Sequence, residues 1–203
     1  MNTPQPLGLK KSFGFGDRLG LATPGHFAAF KKFGFAPIFA QQSIREMERT
    51  QRTPEEVVAA AQTAVTSLGY TGAWGADADH MKLPEHADRT AAAGFCFFTI
   101  DPSEYVGKGA LTGELESLYL GKKFEIGGTF DRGSLYNAAR KYGRALEHIR
   151  HLGWHIAQVM NGRPFEIEIS VDETDEPTTV LEHLYASLSS ATAQDHFAFF
   201  MEK

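Results

Sequence analysis

Short apolar runs alternate with helical patterns along most of the 203-residue chain. Alternating or continuous apolar positions predict extended segments in FGFGDRLGLA, FAPIFAQQS, YTGAWGADADH, FCFFTIDPS and RPFEIEISVDETD. Apolar positions with helical spacing predict helices in PGHFAAFKKFG, TPEEVVAAAQTAVTSLG and PEHADRTAAAG, over 133–161, and from near Pro177 onward. Strand–helix alternation of this kind is typical of an α/β fold with parallel strands, here with about five strand–helix pairs.

Two of these helices begin with a capping-box signature. Thr53 stands before Pro54, which suits a first helical position, and Glu56 follows where it can reach back to the cap. Thr179 and Glu182 have the same spacing near the end of the chain. Both positions are therefore predicted helix starts.

The segment 104–133 is rich in glycine and shows little periodicity apart from one helical stretch, TGELESLYLGKKF. We interpret it as an irregular loop insertion and not as a linker between domains. The chain, 1–203, is accordingly predicted to be a single α/β domain.

Composition excludes several classes of partner. A formal net charge of −5 and a pI of about 5.9 give no basic surface for nucleic acid or for an anionic membrane. No apolar run approaches membrane-spanning length, and the N-terminal stretch lacks the apolar core of a signal peptide. The single cysteine, Cys96, cannot form an internal disulfide, so a reducing, cytoplasmic location is expected. Its surroundings, GFCFFTI, predict a small buried hydrophobe and not a nucleophile.

Polar residues follow each of the five predicted strands. The strands end in GDR, QQS, ADADH, TIDPS and SVDETD. In parallel α/β folds, binding and catalytic groups lie where strands end and the following loops begin. The pattern therefore predicts a functional site built from these strand ends.

The segment ADADH contains the densest group of candidate ligands. In an extended chain Asp77 and Asp79 point to the same side and His80 to the other, and a turn after Asp79 would bring His80 round to join them. Carboxylates with a neutral imidazole suit a divalent metal, which also lets neighbouring acids stay ionised. The same spacing fits a solvated loop in which Asp77 caps a turn and His80 packs. The spacing also leaves open which aspartate would do chemistry.

In FEIEISVDETD the residues Glu166, Glu168, Ser170 and Asp172 share one face of a strand. A strand at the edge of a sheet, with that face in water, explains the pattern. In a barrel the same face would point into the mouth, where several carboxylates need a cation or a substrate. Part of the acidic cluster DETD is also favourable charge at the start of the following helix.

The segment GFGDR has the spacing of neither a P-loop nor a dinucleotide fingerprint. Gly14 and Gly16 instead permit a bulge or a close backbone approach. Asp17 and Arg18 could pair with each other or bind a carboxylate substrate, because the guanidinium fork binds both oxygens of a carboxylate. Lys82 could orient a substrate, although most lysines are simply solvated.

Four longer stretches together resemble one known family. SFGFGDRLGLATPGH, WGADADHMK, GFCFFTIDPSEYV and EISVDETDEPTTVLEH resemble the tagaturonate/fructuronate epimerases of bacterial hexuronate catabolism, and they occur in family order over residues 12–184. The resemblance implies a TIM-barrel-like fold of βα repeats and a divalent metal cofactor. It also implies a small sugar-acid substrate, with D-tagaturonate and D-fructuronate interconverted by an isomerase.

The resemblance also implies roles for matching positions. Asp79 would be a base and Glu168 the opposing acid, while His80 would be a metal ligand and Asp172 a weaker ligand candidate. Arg18 would hold the substrate carboxylate, and the two other predicted substrate-binding residues are Asp17 and Lys82. The expected mechanism is proton removal beside a polarised ketone, through an enediolate.

The chain departs from the family pattern after LEHLYAS, and family members are considerably longer. The resemblance therefore implies a C-terminally truncated, partial barrel. Such a fold has an open edge strand and exposed apolar surface, so we expect reduced stability, reduced activity or association into a homo-oligomer. The alternatives to an epimerase are a metal-dependent aldolase or hydrolase acting on sugar acids, and an inactive fragment.

Overall fold

The structure is a computed structural model that describes residues 2–171 and 174–191. The strands are β1 (Ser12–Gly16), β2 (Ala36–Ser43), β3 (Gly75–Met81), β4 (Phe97–Ile100), β5 (Lys123–Phe124), β6 (Gly128–Thr129) and β7 (Glu166–Ile169). The helices are α1 (Thr23–Phe30), α2 (Ile44–Thr50), α3 (Pro54–Ser67), α4 (Pro84–Ala93), α5 (Gly113–Tyr119), α6 (Arg132–Met160) and α7 (Val180–Ala191).

The main sheet has five strands in the order β1-β2-β3-β4-β7, which is also their order along the chain. The pairs β1–β2, β2–β3 and β3–β4 are parallel. A parallel pair needs a crossover connection, and at least one helix lies between each two successive strands of the sheet. The prediction of an α/β fold with parallel strands is therefore confirmed.

The β1–β2 ladder contains an irregularity opposite the glycines of β1. Between the pairs Gly14–Ile38 and Gly16–Gln41 there is one residue on β1, Phe15, but there are two on β2, Phe39 and Ala40, so the extra residue lies on β2. An extra residue in one strand bends that strand and turns a side chain away from the regular alternation. The bulge that the glycines of β1 predicted therefore lies on the neighbouring strand, β2, instead.

Both predicted capping boxes form. The Thr53 hydroxyl accepts from the backbone N–H of Glu56 at 3.2 Å, and the Glu56 carboxylate accepts from the backbone N–H of Thr53 at 2.8 Å. Thr179 and Glu182 make the equivalent pair at the start of α7, also at 3.2 and 2.8 Å. Each box satisfies two backbone donors that a helix start otherwise leaves without partners.

Several element boundaries differ from the prediction. Helix α1 ends at Phe30 and is followed by a turn, so it is shorter than the predicted run to Gly34. Helix α2 was not predicted, because its seven residues are too few to show a period; its start is a third capping box, formed by Ser43 and Glu46. The segment 104–133 is more regular than predicted, since it contains α5 and the antiparallel pair β5–β6.

The chain divides into two compact units, Met1–Ile100 with Trp154–Glu168 and Asp101–Gly153 with Ile169–Lys203. The core of the first unit is an aromatic cluster in which Phe27, Phe30 and Phe39 meet Tyr70 edge-on. In the second unit the Tyr119 ring packs against the rings of Phe130 and Tyr185. The single-domain assignment stays a prediction.

Cys96 is buried, as its apolar surroundings predict. Burial raises the pKa of its thiol to about 11, so the thiolate needed for nucleophilic chemistry is strongly disfavoured. In the part of the chain that the structure describes, no helix has both the length and the apolar character to cross a membrane.

Candidate active site

Three of the polar segments singled out in the sequence lie at strand ends or inside strands of the first unit: GDR at the end of β1, QQS at the end of β2, and ADADH within β3. Asp17 directly follows β1, and Ser43 is the last residue of β2. The β2–β3 register pairs Gln41 with Asp77 and Ser43 with Asp79. Residues paired directly across a ladder point to the same face of the sheet, so these four side chains belong to one face.

Three carboxyl groups on β3 and β7 lie close enough to influence one another. Asp77 is 3% exposed, and burial raises the pKa of its carboxyl well above the ordinary value. The negative charges of Asp79 and Glu168 raise this pKa further. The Thr99 hydroxyl donates a hydrogen bond to Asp77 Oδ1 at 3.0 Å. This bond and the nearby His80 lower the pKa of Asp77, but by less than burial and the two acids raise it.

His80 is turned toward this carboxyl cluster by a break in the strand. Its φ is +54°, in the left-handed region, and the β3–β4 register shifts between Ala78 and Met81. The turn puts His80 Nδ1 2.6 Å from Asp79 Oδ1. Left-handed backbone at a residue other than glycine carries strain, and such strain is often found at functional sites. The condition stated above, a turn after Asp79 that brings His80 to the aspartates, is met.

The donor types of this cluster suit a divalent cation. An imidazole held at one ring nitrogen by a carboxylate presents its other nitrogen outward, a common arrangement for metal-ligating histidines. Here Asp79 holds Nδ1 of His80, so Nε2 is the ring nitrogen that would meet a cation. Within residues 2–171 and 174–191, however, no three His, Cys, Asp or Glu side chains are placed to hold a metal together. Asp172, the other predicted ligand, lies outside the described residues.

The predicted substrate-binding residues occupy different surroundings. Arg18 is 64% exposed and forms an ion pair with Glu46 of α2. Because the Arg18 side chain lies mostly in solvent, it can meet a ligand without leaving a buried position, although its partner Glu46 is only 19% exposed. Lys82 directly follows β3, and its backbone N–H donates to His86 Nδ1 at 3.3 Å. Their roles in substrate binding stay predictions.

Asp17 has an evident structural function. Its carboxylate accepts from the backbone N–H groups of Leu21, Ala22 and Thr23 at 2.8–3.1 Å, and from the Thr23 hydroxyl at 3.3 Å. Burial acts to raise the pKa of Asp17, but these backbone donors, with that of Gly20, outweigh it and lower the pKa. Asp17 therefore organises the turn from β1 into α1, whatever its part in binding.

We expect Asp17→Asn to lower the free energy of unfolding at neutral pH by about 1–2 kcal/mol, because an amide nitrogen cannot accept the bonds made by one carboxylate oxygen. Because the pKa of Asp17 is lower in the folded than in the unfolded protein, its ionised form stabilises the fold at pH values above the unfolded-state pKa. This stabilisation is lost as the pH falls through the folded-state pKa. Urea unfolding of parent and variant at neutral pH and at about pH 3 should thus show a smaller difference in acid. Asp175→Asn, at an exposed position, is the matched control. Equal stabilities of Asp17→Asn and the parent at neutral pH would contradict this.

Glu166 and Glu168, two residues apart on β7, contact different parts of the unit. The Glu166 carboxylate accepts from the backbone N–H of Leu7, at 2.9 Å, and from that of Gly8. It thus holds the N-terminal segment, while Glu168 acts on Asp77. The shared face seen in the sequence does not give the two acids the same function.

Two residues near the cluster were not among the predicted site residues. Thr99, the hydrogen-bond partner of Asp77, is the only hydroxyl residue of β4, and that isolated polar position was the available signal. Gln41, the register partner of Asp77, was visible only as part of the polar strand end QQS.

Comparison with known proteins identifies the family. Residues 1–194 match a family model described as tagaturonate epimerase. The chain belongs to the tagaturonate epimerase family. A tagaturonate/fructuronate epimerase of Thermotoga maritima is 41% identical over 202 residues, covering 90% of this chain and 41% of that protein. The resemblance stated from the four sequence stretches is thus confirmed.

Solved structures of the tagaturonate epimerase family share the fold. The native crystal structure of the fructuronate-tagaturonate epimerase of Cohnella laeviribosi matches with a TM-score of 0.86 and 34% identity, over 98% of this chain and 45% of that one. A glycerol complex of the same enzyme matches with a TM-score of 0.85 at the same identity. The chain spans less than half the length of these relatives.

Proposed function

We propose that this chain acts in the epimerisation of a keto-hexuronate, interconverting D-tagaturonate and D-fructuronate with a divalent cation. Membership of the tagaturonate epimerase family supports the substrate class. The observation that carries the proposal is the cluster of Asp77, Asp79 and Glu168 beside His80. Several acids of one site, held beside an imidazole, are suited to moving protons and to binding a cation.

His80 Nε2 and Asp172 are the proposed ligands of the cation. A cation there would polarise the ketone of the substrate and favour enediolate formation. It would also offset the repulsion among the neighbouring carboxyls, of which the raised pKa of Asp77 is one sign. The hydrogen bond between Asp79 and His80 would fix the ring orientation that such a ligand needs.

The stereochemistry of the two sugars decides how an enediolate serves this reaction. They differ in configuration at C4, whereas the ketone is at C2, so the expected proton removal beside the ketone, at C3, does not by itself change C4. Cleavage of the C3–C4 bond does: the proton leaves the C4 hydroxyl, the bond electrons form the enediolate over C2 and C3, and C4 becomes an aldehyde. Re-addition to the other face of that aldehyde and return of the proton give the epimer.

In this scheme Asp79 accepts the proton from the C4 hydroxyl of one epimer, and Glu168 gives a proton to the C4 oxygen of the other. Two carboxyl groups are needed because the oxygen points in opposite directions in the two epimers. Arg18 would hold the substrate carboxylate, with Lys82 and Asp17 at the same end of the sheet as further binding groups. Enediolate chemistry is shared with aldolases, but here both fragments stay bound and rejoin.

We further propose that the five-stranded sheet is an arc of a TIM-barrel-like fold. Strand order equal to chain order, parallel pairing of the first four strands and intervening helices all agree with successive βα units. Such an arc leaves the outer edge of β1 available for pairing, and Phe13 on that strand is exposed. Association with a second copy of the chain is one way to cover this edge.

Conversion of D-tagaturonate tests the proposal directly. The chain, loaded with a divalent metal and incubated with D-tagaturonate, should yield D-fructuronate until both epimers coexist, without accumulating three-carbon products. Chelation should abolish conversion, and re-addition of metal should restore it. His80→Ala should lose metal, measured per chain by elemental analysis, with His183→Ala, an exposed histidine on α7, as the control.

The same incubation in deuterium oxide separates C3–C4 bond cleavage from direct proton removal at the epimerised carbon. Bond cleavage leaves the hydrogen on C4 in place, so the epimerised product should carry no deuterium there. Deuterium at C4 would instead require direct proton removal at that carbon. No conversion by the metal-loaded chain under any of these conditions would refute the proposed activity.

A further inference from the structure

Gln41 has a side chain that no other described residue binds. It stands on β2 beside Asp77, its register partner on β3, and beside Gly16 on β1. In the part of the chain that the structure describes, its amide makes no hydrogen bond. Gln41 is half-buried as a residue, and its amide atoms keep some exposure to solvent, so a small molecule can reach their donors and acceptor.

The orientation of this side chain depends on a glycine of the neighbouring strand. A Cβ built on Gly14 would lie 2.6 Å from Gln41 Oε1 and 2.9 Å from Cδ. The amide therefore occupies the space above Gly14 that any larger residue would fill. A Cβ on Gly16, in contrast, would have no neighbour within 4 Å. Of the two glycines of β1, only Gly14 makes room for Gln41.

The face of the sheet that carries Gln41 is the face of the carboxyl cluster. Directly paired residues on neighbouring strands point the same way and are about 4.8 Å apart. Because Gln41 pairs with Asp77, its amide flanks the acids on the β1 side of the cluster. An amide is uncharged and offers both donors and an acceptor, so it can bind a hydroxyl group without adding to the repulsion among the acids.

We propose that Gln41 is a substrate-binding residue, held in position by Gly14, which hydrogen-bonds a hydroxyl of the sugar-acid chain next to the carboxyl cluster. This inference rests on the proposed function, because the ligand is the same keto-hexuronate. Gln41 acts on binding and not on the transferred proton, which remains with the acids. Gly14 is a positioning residue that acts only through Gln41.

Steady-state kinetics with D-tagaturonate test this in a double-mutant cycle of Gln41→Ala, Gly14→Ala and the double variant. Gln41→Ala should lower kcat/KM about tenfold, mainly by raising KM, as loss of one hydrogen bond predicts. Gly14→Ala should also raise KM, because its methyl group displaces the amide. In the double variant Gly14→Ala should add no further loss, since the alanine that replaces Gln41 is too short to meet the new methyl group. Gly16→Ala is the control and should behave like the parent.

The outcomes separate this inference from the function on which it rests. An active parent whose KM is unchanged by Gln41→Ala would overturn the role of Gln41 and leave the epimerase proposal standing. Additive losses from the two single variants would overturn the positioning role of Gly14. An inactive metal-loaded parent would overturn both proposals. Thermal melting of each variant shows whether a loss of kcat/KM reflects unfolding. Gln41→Ala removes no hydrogen bond within the described residues, so its melting temperature should equal that of the parent.

Discussion

Asp79→Asn and Glu168→Gln should each lower kcat for tagaturonate conversion by about a hundredfold or more, the usual loss when a general acid or base is removed. Each substitution keeps the size of the side chain and removes its proton-transfer ability. Asp79 is 23% exposed at the side chain and Glu168 is half-buried, so a small molecule can reach both. The rates should be compared at saturating substrate, with metal content measured in each variant.

Asp77→Asn is the matched comparison within the same cluster. Asp77 is 3% exposed and bound by the Thr99 hydroxyl, a bond that an asparagine oxygen still accepts. We therefore expect this variant to retain more activity than Asp79→Asn. If Asp77→Asn instead loses more activity than Asp79→Asn, then Asp77 is the base. Full activity in both Asp79→Asn and Glu168→Gln, with metal bound, would contradict the proposed proton transfers.

Trp74→Ala should lower the free energy of unfolding by about 3–5 kcal/mol, the range for removing a large aromatic side chain from a core. Trp74 is fully buried at the start of the segment that leads into β3, and its ring packs against Phe39 at a centroid distance of 6.4 Å. Its indole N–H also donates to the backbone oxygen of Asn2 at 2.9 Å. The substitution thus leaves a cavity and removes an anchor of the N-terminal segment.

The second tryptophan of the chain supplies the control. Trp154 is 57% exposed on α6, so Trp154→Phe should change stability by less than about 0.5 kcal/mol. In that background the fluorescence of Trp74 alone reports unfolding, because the chain has two tryptophans. For Trp74→Ala, the free energy of unfolding is measured by chemical denaturation with circular dichroism as the signal. A loss below about 1 kcal/mol would mean that the core closes over the cavity or that this part of the unit is already loose.

Local sequence signals predicted the elements wherever local interactions decide them. The capping boxes at Thr53 and Thr179 involve residues a single turn apart, and both formed as expected. The apolar strand ending at Ile100 and the long helix α6 followed from their hydrophobic patterns. Helix α2 was missed because seven residues give no readable period, although its cap, Ser43 with Glu46, was visible in the sequence.

The candidate site was predictable in part. Placing polar groups at strand ends required only that the strands be parallel, which strand–helix alternation indicates. The neighbourhood of Asp77, Asp79 and Glu168 could not be derived in this way, because β3 and β7 are separated by more than eighty residues. The pairing of Arg18 with Glu46 was equally hidden, since α2 was not predicted.

By itself the sequence determined the fold class, most helix starts, the buried character of Cys96 and the family, because these depend on patterns within short stretches or on long motifs. Only the tertiary structure decided which acids meet, that a break in β3 turns His80 onto Asp79, and that Gln41 lies over Gly14. These features arise from register between strands and from a few backbone dihedral angles. A one-residue change in register reverses the face of every side chain on a strand, and no local pattern specifies it to that precision.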